Sequence, residues 1–230
     1  MAERRVDAAV GRLQWRRLPH HLWAAAAGQP KSVGSLIRST GISGLVTAIW
    51  LAGVLHSLAA DAGLSQKLAP CLACHGADGQ SQTENVPSLG AQQPQYTVTQ
   101  LFLFREKMNI SDPMNDMAKG LSDDDLQGIA AALAVLPVPQ PPADPGDPAR
   151  LDPARALVEQ NHCNVCHRPD FSGQNNVPRV ADQREEYLLK TLRDYKSGAR
   201  HGYDATMAEV LQPLSDVQLV ELSYYLAHHR

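Results

Sequence analysis

"PCLACHGADGQ" spans residues 70–80 and "HCNVCHRPD" spans 162–170. Each holds two cysteines separated by two residues, with a histidine directly after the second: Cys71, Cys74 and His75, then Cys163, Cys166 and His167. The chain has four cysteines, so these two stretches use them all. Three chemistries compete for such a pattern. A disulfide or thioredoxin-like redox pair uses Cys-x-x-Cys but wants a βαβ setting and does not require the histidine. A zinc site joins two Cys-x-x-Cys pairs, yet here each pair belongs to its own half of the chain. Covalent haem attachment is the third. Two thiols one helical turn apart add to the two vinyl groups, and the next residue places its imidazole under the iron.

The pattern around each motif repeats as well. "VPSLGAQQPQY" (86–96) aligns with "VPRVADQREEY" (177–187), and "YTVTQLFLFR" (96–105) with "YLLKTLRDYK" (187–196). "PMNDMAKGLSDDDLQGIAAALA" (113–134) aligns with "TMAEVLQPLSDVQLVELSYYLA" (206–227). Such self-similarity marks a tandem duplication. Between the copies, residues 137–153 hold seven prolines, a composition that predicts an extended, stiff linker rather than helix. Both copies read as helical. Tyr96, Leu101 and Phe104, like Tyr187, Leu192 and Tyr195, fall on one helix face. Ser122 and Ser215 read as N-caps, with Asp125 and Gln218 three residues on as capping-box partners. Each copy then amounts to roughly three helices, with no convincing strand pattern. A core from so few helices is marginal unless a prosthetic group completes it.

Haem makes further demands. An electron-transfer haem with six ligands needs a sixth, often methionine. After residue 60, methionine occurs at 108, 114, 117 and 207. Met207 is the single candidate in the second copy, and the alignment pairs it with Met114, each seven residues before an "LSD" cap. Met117 has no counterpart and Met108 falls on the preceding helix; either also reads as core packing. The histidines need an acceptor for their other ring nitrogen. The carbonyls of Pro87 and Pro178, at equivalent places, are the candidates; simple turn prolines are the plainer reading. His162, His201, His228 and His229 have no repeat partner and read as solvated surface residues. His162 is also a candidate to touch a haem propionate, as are Arg200 and Lys196, for which solvated charge is the plainer reading.

The first sixty residues differ from the rest. They carry seven of the 21 Lys+Arg against Glu3 and Asp7 as their acids, and "GISGLVTAIWLAGVLHSLAA" (41–60) is an apolar run with Ser57 and Ala59 spaced like a signal-peptidase site. Residues 1–60 therefore read as a secretory signal, with an uncleaved membrane anchor as the alternative. Removal leaves residues 61–136 as a first domain and 154–230 as a second. The first carries four Lys+Arg and nine Asp+Glu, the second nine and ten. A chain net charge of −3 gives no sign of nucleic-acid binding. Aromatic content of 5% is low for two cores and leaves volume for a non-protein group.

CLACHGADG, PSLGAQ, a Tyr-led helix, a methionine and the LSD-capped helix together resemble class I cytochrome c. Two such units in tandem resemble the dihaem cytochrome c4 family, over about 66–135 and 156–228. The resemblance implies an all-α fold of two small helical bundles, each wrapped around a covalent haem c. It implies attachment at Cys71, Cys74, Cys163 and Cys166 and axial ligation by His75, Met114, His167 and Met207. It also implies a pseudo-twofold interface. The function implied is electron carriage, not enzymatic turnover, in the periplasm. The partners would be a quinol–cytochrome c oxidoreductase, a terminal oxidase or a dehydrogenase. The alternatives are a cytochrome subunit of a flavocytochrome-type dehydrogenase and, further off, a dihaem peroxidase, which needs one open haem. Three features depart from the family pattern. "CHRPDFSG" replaces "CHGADG" at the second site, the second copy has an extra "KSGARHG" (196–202), and the linker is long and proline-rich.

Overall fold

Two serines set where the last helix of each repeat begins. Ser122 accepts from the backbone N–H of Asp125 while the Asp125 carboxylate accepts the Ser122 N–H in return at 2.9 Å. Ser215 and Gln218 do the same. Each pair satisfies two backbone donors that a helix start otherwise leaves bare, so both predicted capping boxes are present. They open α4 (Asp123–Ala134) and α9 (Asp216–Ala227).

The computed structural model describes residues 63–202 and 205–230. The expected signal or anchor over 1–60 lies outside them. Among the described residues no helix is long and apolar enough to cross a membrane. Before α4 come α1 (63–75), α2 (Pro94–Arg105) and α3 (Met114–Ala118). Before α9 come α5 (Pro148–Gln160), α6 (Cys163–His167), α7 (Glu185–Ser197) and α8 (Thr206–Leu211). Among the described residues the sole β pairing is an isolated bridge between Gln174 and Val177, so the chain is all-α.

The helices build two lobes. In the first, α2 packs on α4 around Leu101, Leu126, Ile129 and Leu133, with Leu64, Leu68 and Leu72 of α1 against them. In the second, α9 packs on both α5 and α7 around residues such as Phe171, Leu188, Leu192, Leu211, Leu219 and Leu222. The expected helix faces hold in part. Leu101, Phe104, Leu192 and Tyr195 are buried, whereas Tyr96 and Tyr187 are half-buried. The short α3 and α8, which carry Met114 and Met207, fell outside the three-helix expectation.

The proline-rich stretch does not remain extended throughout. Helix α5 starts at Pro148, inside the span 137–153. Asp147 caps it by accepting from Ala149 N–H at 2.9 Å, and Pro148 sits in the first turn, where a missing N–H costs nothing. Pro153 lies inside the helix. Packing of Ala154 and Val158 into the second core outweighs the one hydrogen bond it forgoes. The stretch before α5 is laid along both lobes. Gln140 N–H donates to Gln80 Oε1 at 3.0 Å, Arg230 donates to Pro142 O at 2.7 Å, and Asp147 N–H donates to Tyr224 OH at 2.7 Å. A Cβ on Gly90 would stand 2.1 Å from Pro137 O, so glycine alone lets the chain approach there.

The lobes meet through polar contacts that repeat across the duplication. Gln92 Nε2 donates to Arg179 O at 3.0 Å, and Arg179 N–H donates to Gln92 Oε1 at 2.8 Å. Gln183 Nε2 donates to Ser88 O at 2.8 Å, and Ser88 N–H donates to Gln183 Oε1 at 2.8 Å. Gln183 is the repeat counterpart of Gln92, and Arg179 that of Ser88, at the offset relating Val86 to Val177. At the same offset Gln93 pairs with Arg184, and these reach the carbonyls of Ser172 and Ser81 at 2.8 and 3.4 Å. Each contact thus has its mirror, as a twofold interface requires. The extra stretch 196–202 adds an arm without a mirror. Its Arg200 donates to Gln100 Oε1 at 2.7 Å and Tyr96 OH at 3.2 Å, and His201 exchanges two backbone bonds with the Asn109 side chain.

Leu219 is 1% exposed at the crossing of α9 with its neighbours. Leu219→Ala is expected to cost about 2–5 kcal/mol, read as a lower urea midpoint by far-ultraviolet circular dichroism.

Candidate functional site

Each Cys-x-x-Cys-His run lies on helix: residues 71–75 close α1, and the second run is α6 itself. Positions three apart share a helix side, so both thiols of a pair face one way. Cys71 and Cys163 are half-buried, Cys74 and Cys166 exposed, and all four are unpaired. Burial pushes the Cys71 and Cys163 thiols above their ordinary pKa. No three His, Cys, Asp or Glu side chains converge as a metal-ion cluster among the described residues. The two pairs therefore do not join into one zinc site.

The histidines decide the chemistry of the site. His75 Nδ1 lies 2.7 Å from Pro87 O, and His167 Nδ1 lies 2.9 Å from Pro178 O. These are the two carbonyls expected from the repeat. A carbonyl oxygen only accepts, so each Nδ1 carries the proton and each Nε2 keeps its lone pair. Both rings are buried. Burial lowers their pKa, against a smaller upward pull from the carbonyls. A neutral imidazole, oriented and with Nε2 free, is what a metal requires of a histidine.

The residue after each histidine must turn sharply. Gly76 has φ +88°, and a Cβ there would stand 2.2 Å from Gln80 O. Its counterpart Arg168 has φ +69° and ψ 162°, backbone territory that side chains almost never occupy. The departure "CHRPD" is thus a strained turn.

Met114 opens α3, half-buried against the first core, and Met207 lies in α8, half-buried against the second. Met117 and Met108 are 39% and 54% exposed. Other side chains fall differently from expectation. Lys196 donates to the carbonyls of Leu211, Gln212 and Leu214, so it caps α8 instead of facing a propionate. His228 is not solvated: it is buried, with Nδ1 2.9 Å from Tyr224 O and its ring 4.2 Å from that of Tyr224. His229 is half-buried, 4.8 Å from the Phe171 ring. His162 is exposed and takes φ +53° ahead of α6. Arg184 and Arg200, whose side chains reach between the lobes, and Arg179, whose guanidinium pairs with Asp182 of its own lobe, each leave Nε buried without a partner. Unpaired thiols one turn apart, a free Nε2 and spare cationic donors fit haem c, which brings vinyl groups, iron and two carboxylates.

No protein-family model matches the sequence. The chain is 30% identical over 191 residues to cytochrome c4 of Pseudomonas aeruginosa, covering 79% of this chain and 94% of that one. This chain belongs to the cytochrome c4 family. The crystal structure of reduced recombinant cytochrome c4 from Pseudomonas stutzeri superposes with a TM-score of 0.64 at 28% identity, covering 74% of this chain and 98% of that one. A thiosulfate dehydrogenase electron acceptor of Stutzerimonas stutzeri is 28% identical over 199 residues, 77% of this chain and 92% of that one. As a cytochrome c4 the chain comprises two class I cytochrome c folds, carries two covalent haem c groups, and transfers electrons instead of catalysing bond chemistry. Haem supplies an iron that cycles between ferric and ferrous states.

Sequence reasoning missed Gln92 and Gln183. Their signal was present: both are glutamine at one repeat position, five residues after an equivalent proline. Relief of the strained turn gives a test of the second site. Arg168→Gly is expected to stabilise the protein by about 1 kcal/mol, the strain relieved less the entropy glycine costs. The measurement is a higher denaturation midpoint with the haem absorption spectrum unchanged.

Proposed function

We propose that the protein is a periplasmic electron carrier whose haem c groups are attached at Cys71 and Cys74 and at Cys163 and Cys166. His75 and Met114 are the axial ligands of the first haem, His167 and Met207 those of the second. The matched histidine–carbonyl bonds at Pro87 and Pro178 carry this reading, because they deliver two neutral imidazoles with Nε2 unspent. Placement of the methionines supports it: Met114 is half-buried where Met117 is exposed. A filled sixth position leaves no room for substrate, which suits carriage. Residues 1–60 direct export, and the domains at 61–136 and 154–230 each hold one haem. The partners are redox proteins of a respiratory chain. A dehydrogenase that delivers electrons to the carrier is the partner favoured by the likeness to a thiosulfate dehydrogenase electron acceptor.

Met207→Ala leaves no methionine in the second lobe to take its place. That haem is expected to lose its methionine-to-iron absorption band, drop in potential and bind carbon monoxide. Met114→Ala is expected to do the same to the first haem. Carbon monoxide binding by the unmutated protein, or a closed haem in Met114→Ala that opens in Met117→Ala, counts against the assignment.

The two domains differ in field. Residues 61–136 carry net −5 and residues 154–230 net −1. A basic redox partner is therefore steered to the first domain. Stopped-flow electron transfer to such a partner is expected to slow as salt rises from low ionic strength toward 0.15 M, where screening sets in at about 8 Å.

A further inference from the structure

The peptide group between Pro87 and Ser88 is held at both ends. Its carbonyl accepts from His75 Nδ1 at 2.7 Å, and its N–H donates to Gln183 Oε1 at 2.8 Å. The equivalent group between Pro178 and Arg179 accepts from His167 Nδ1 at 2.9 Å and donates to Gln92 Oε1 at 2.8 Å. Each histidine is thus linked through one peptide plane to a glutamine of the other lobe. Both glutamines are buried, at 5% and 7% exposure, so these bonds are largely shielded from bulk solvent.

The amide orientation of each glutamine is fixed by its surroundings. Gln183 Oε1 also accepts the N–H of Arg184 at 2.9 Å, while Nε2 faces Ser88 O. Gln92 Oε1 also accepts the N–H of Gln93 at 2.9 Å, while Nε2 faces Arg179 O. Two N–H groups converge on each oxygen and a carbonyl on each nitrogen, so a flipped amide breaks every bond.

An amide whose N–H is donated gains electron density on its oxygen, because hydrogen bonds along a chain polarise one another. A more negative Pro87 oxygen draws harder on the His75 Nδ1 proton. The ring then gains imidazolate character and gives more density through Nε2. Such density favours the ferric ion over the ferrous.

We infer that Gln183 and Gln92 are positioning residues that set the reduction potentials of the haems in a crossed manner. Gln183 of the second lobe acts on the haem of the first, and Gln92 of the first lobe acts on the haem of the second. The inference rests on His75 and His167 being axial ligands. Each haem then senses whether the opposite lobe is seated, since withdrawal of a lobe withdraws the amide that polarises its neighbour's histidine.

The test uses the full dihaem protein. Gln183→Leu removes the polarising acceptor, and the first haem is expected to become easier to reduce. At a fixed solution potential its ferrous-to-ferric ratio should rise about threefold, roughly 28 mV on the scale of about 59 mV per tenfold for a one-electron couple. The second haem should move much less. Gln92→Leu should show the reverse assignment. Haem-resolved redox titration by NMR of the haem methyl resonances separates the two. Gln183→Glu keeps an acceptor for the Ser88 N–H: ionised it polarises the peptide more strongly, and protonated it copies the amide by donating to Ser88 O, so the first haem is expected to stay at or below its wild-type potential; it also serves if the leucine variant does not fold. Shifts confined to the haem of the substituted lobe, equal shifts at both haems, or shifts of one sign for Leu and Glu overturn the inference. The ligand reading is checked separately by the hyperfine-shifted Nδ1–H resonances of His75 and His167 in ¹⁵N-histidine-labelled ferric wild type. Their absence defeats the ligand assignment and the inference built on it. Their presence with uncrossed potentials defeats the relay alone.

Discussion

A backbone carbonyl can accept a hydrogen bond and can never give one, and the sites of this protein depend on that. With Pro87 O and Pro178 O beside Nδ1, the histidine rings have no choice of tautomer or of tilt. The free nitrogen is chosen by the partner of the other one. Burial then keeps the rings neutral. The rest of each lobe serves this arrangement. The end of α1 or the one-turn α6 presents the thiols, a tight turn at Gly76 or Arg168 reverses the chain, and a rigid proline delivers the carbonyl.

The first core of the protein is small, with Leu101, Leu126, Ile129 and Leu133 as its buried members. Such a core fits a fold in which the cofactor is part of the interior as well as the reactive centre. The contact between lobes has a different character. It is built largely from side-chain amides and guanidinium groups set against backbone. Each such bond contributes only about 1 kcal/mol net, but breaking one partner of a buried pair costs more, because the other is left unsatisfied. An interface of this kind gains little from sliding and loses much, so it fixes register between the lobes.

Local rules carried the sequence reading a long way. The capping boxes at Ser122 and Ser215 follow from residue chemistry over three positions, and both are present. The proline carbonyls followed from a need, a neutral oriented imidazole, matched to a rigid residue at one repeat position. What failed was decided by distant partners. Proline content argued for an extended 137–153, but Asp147 and Pro148 start a helix there because α9 offers an apolar face to pack on. Lys196 and His228 looked like solvated charge or surface, and each is held by backbone carbonyls that no local pattern announces. The stretch "KSGARHG" stood out as an insertion, yet its use as an arm between lobes needed the fold to be seen. Gln92 and Gln183 lie within the aligned segments, and their meaning lies in what each reaches in the opposite copy.

Because every lobe supplies both a glutamine and the peptide that a glutamine grasps, the surface is self-complementary. A half-length molecule with one such face would meet its own twin in the same way. The chain therefore has the form of a homodimer whose subunits were fused. Fusion replaces an encounter between two molecules by one within a single molecule, at an effective concentration set by the length and stiffness of the connection. A fused pair is also freed from symmetry. Gln93 and Arg184 can part company in residue type, and one half can grow an arm that its twin lacks, with the two halves still bound to each other at any dilution.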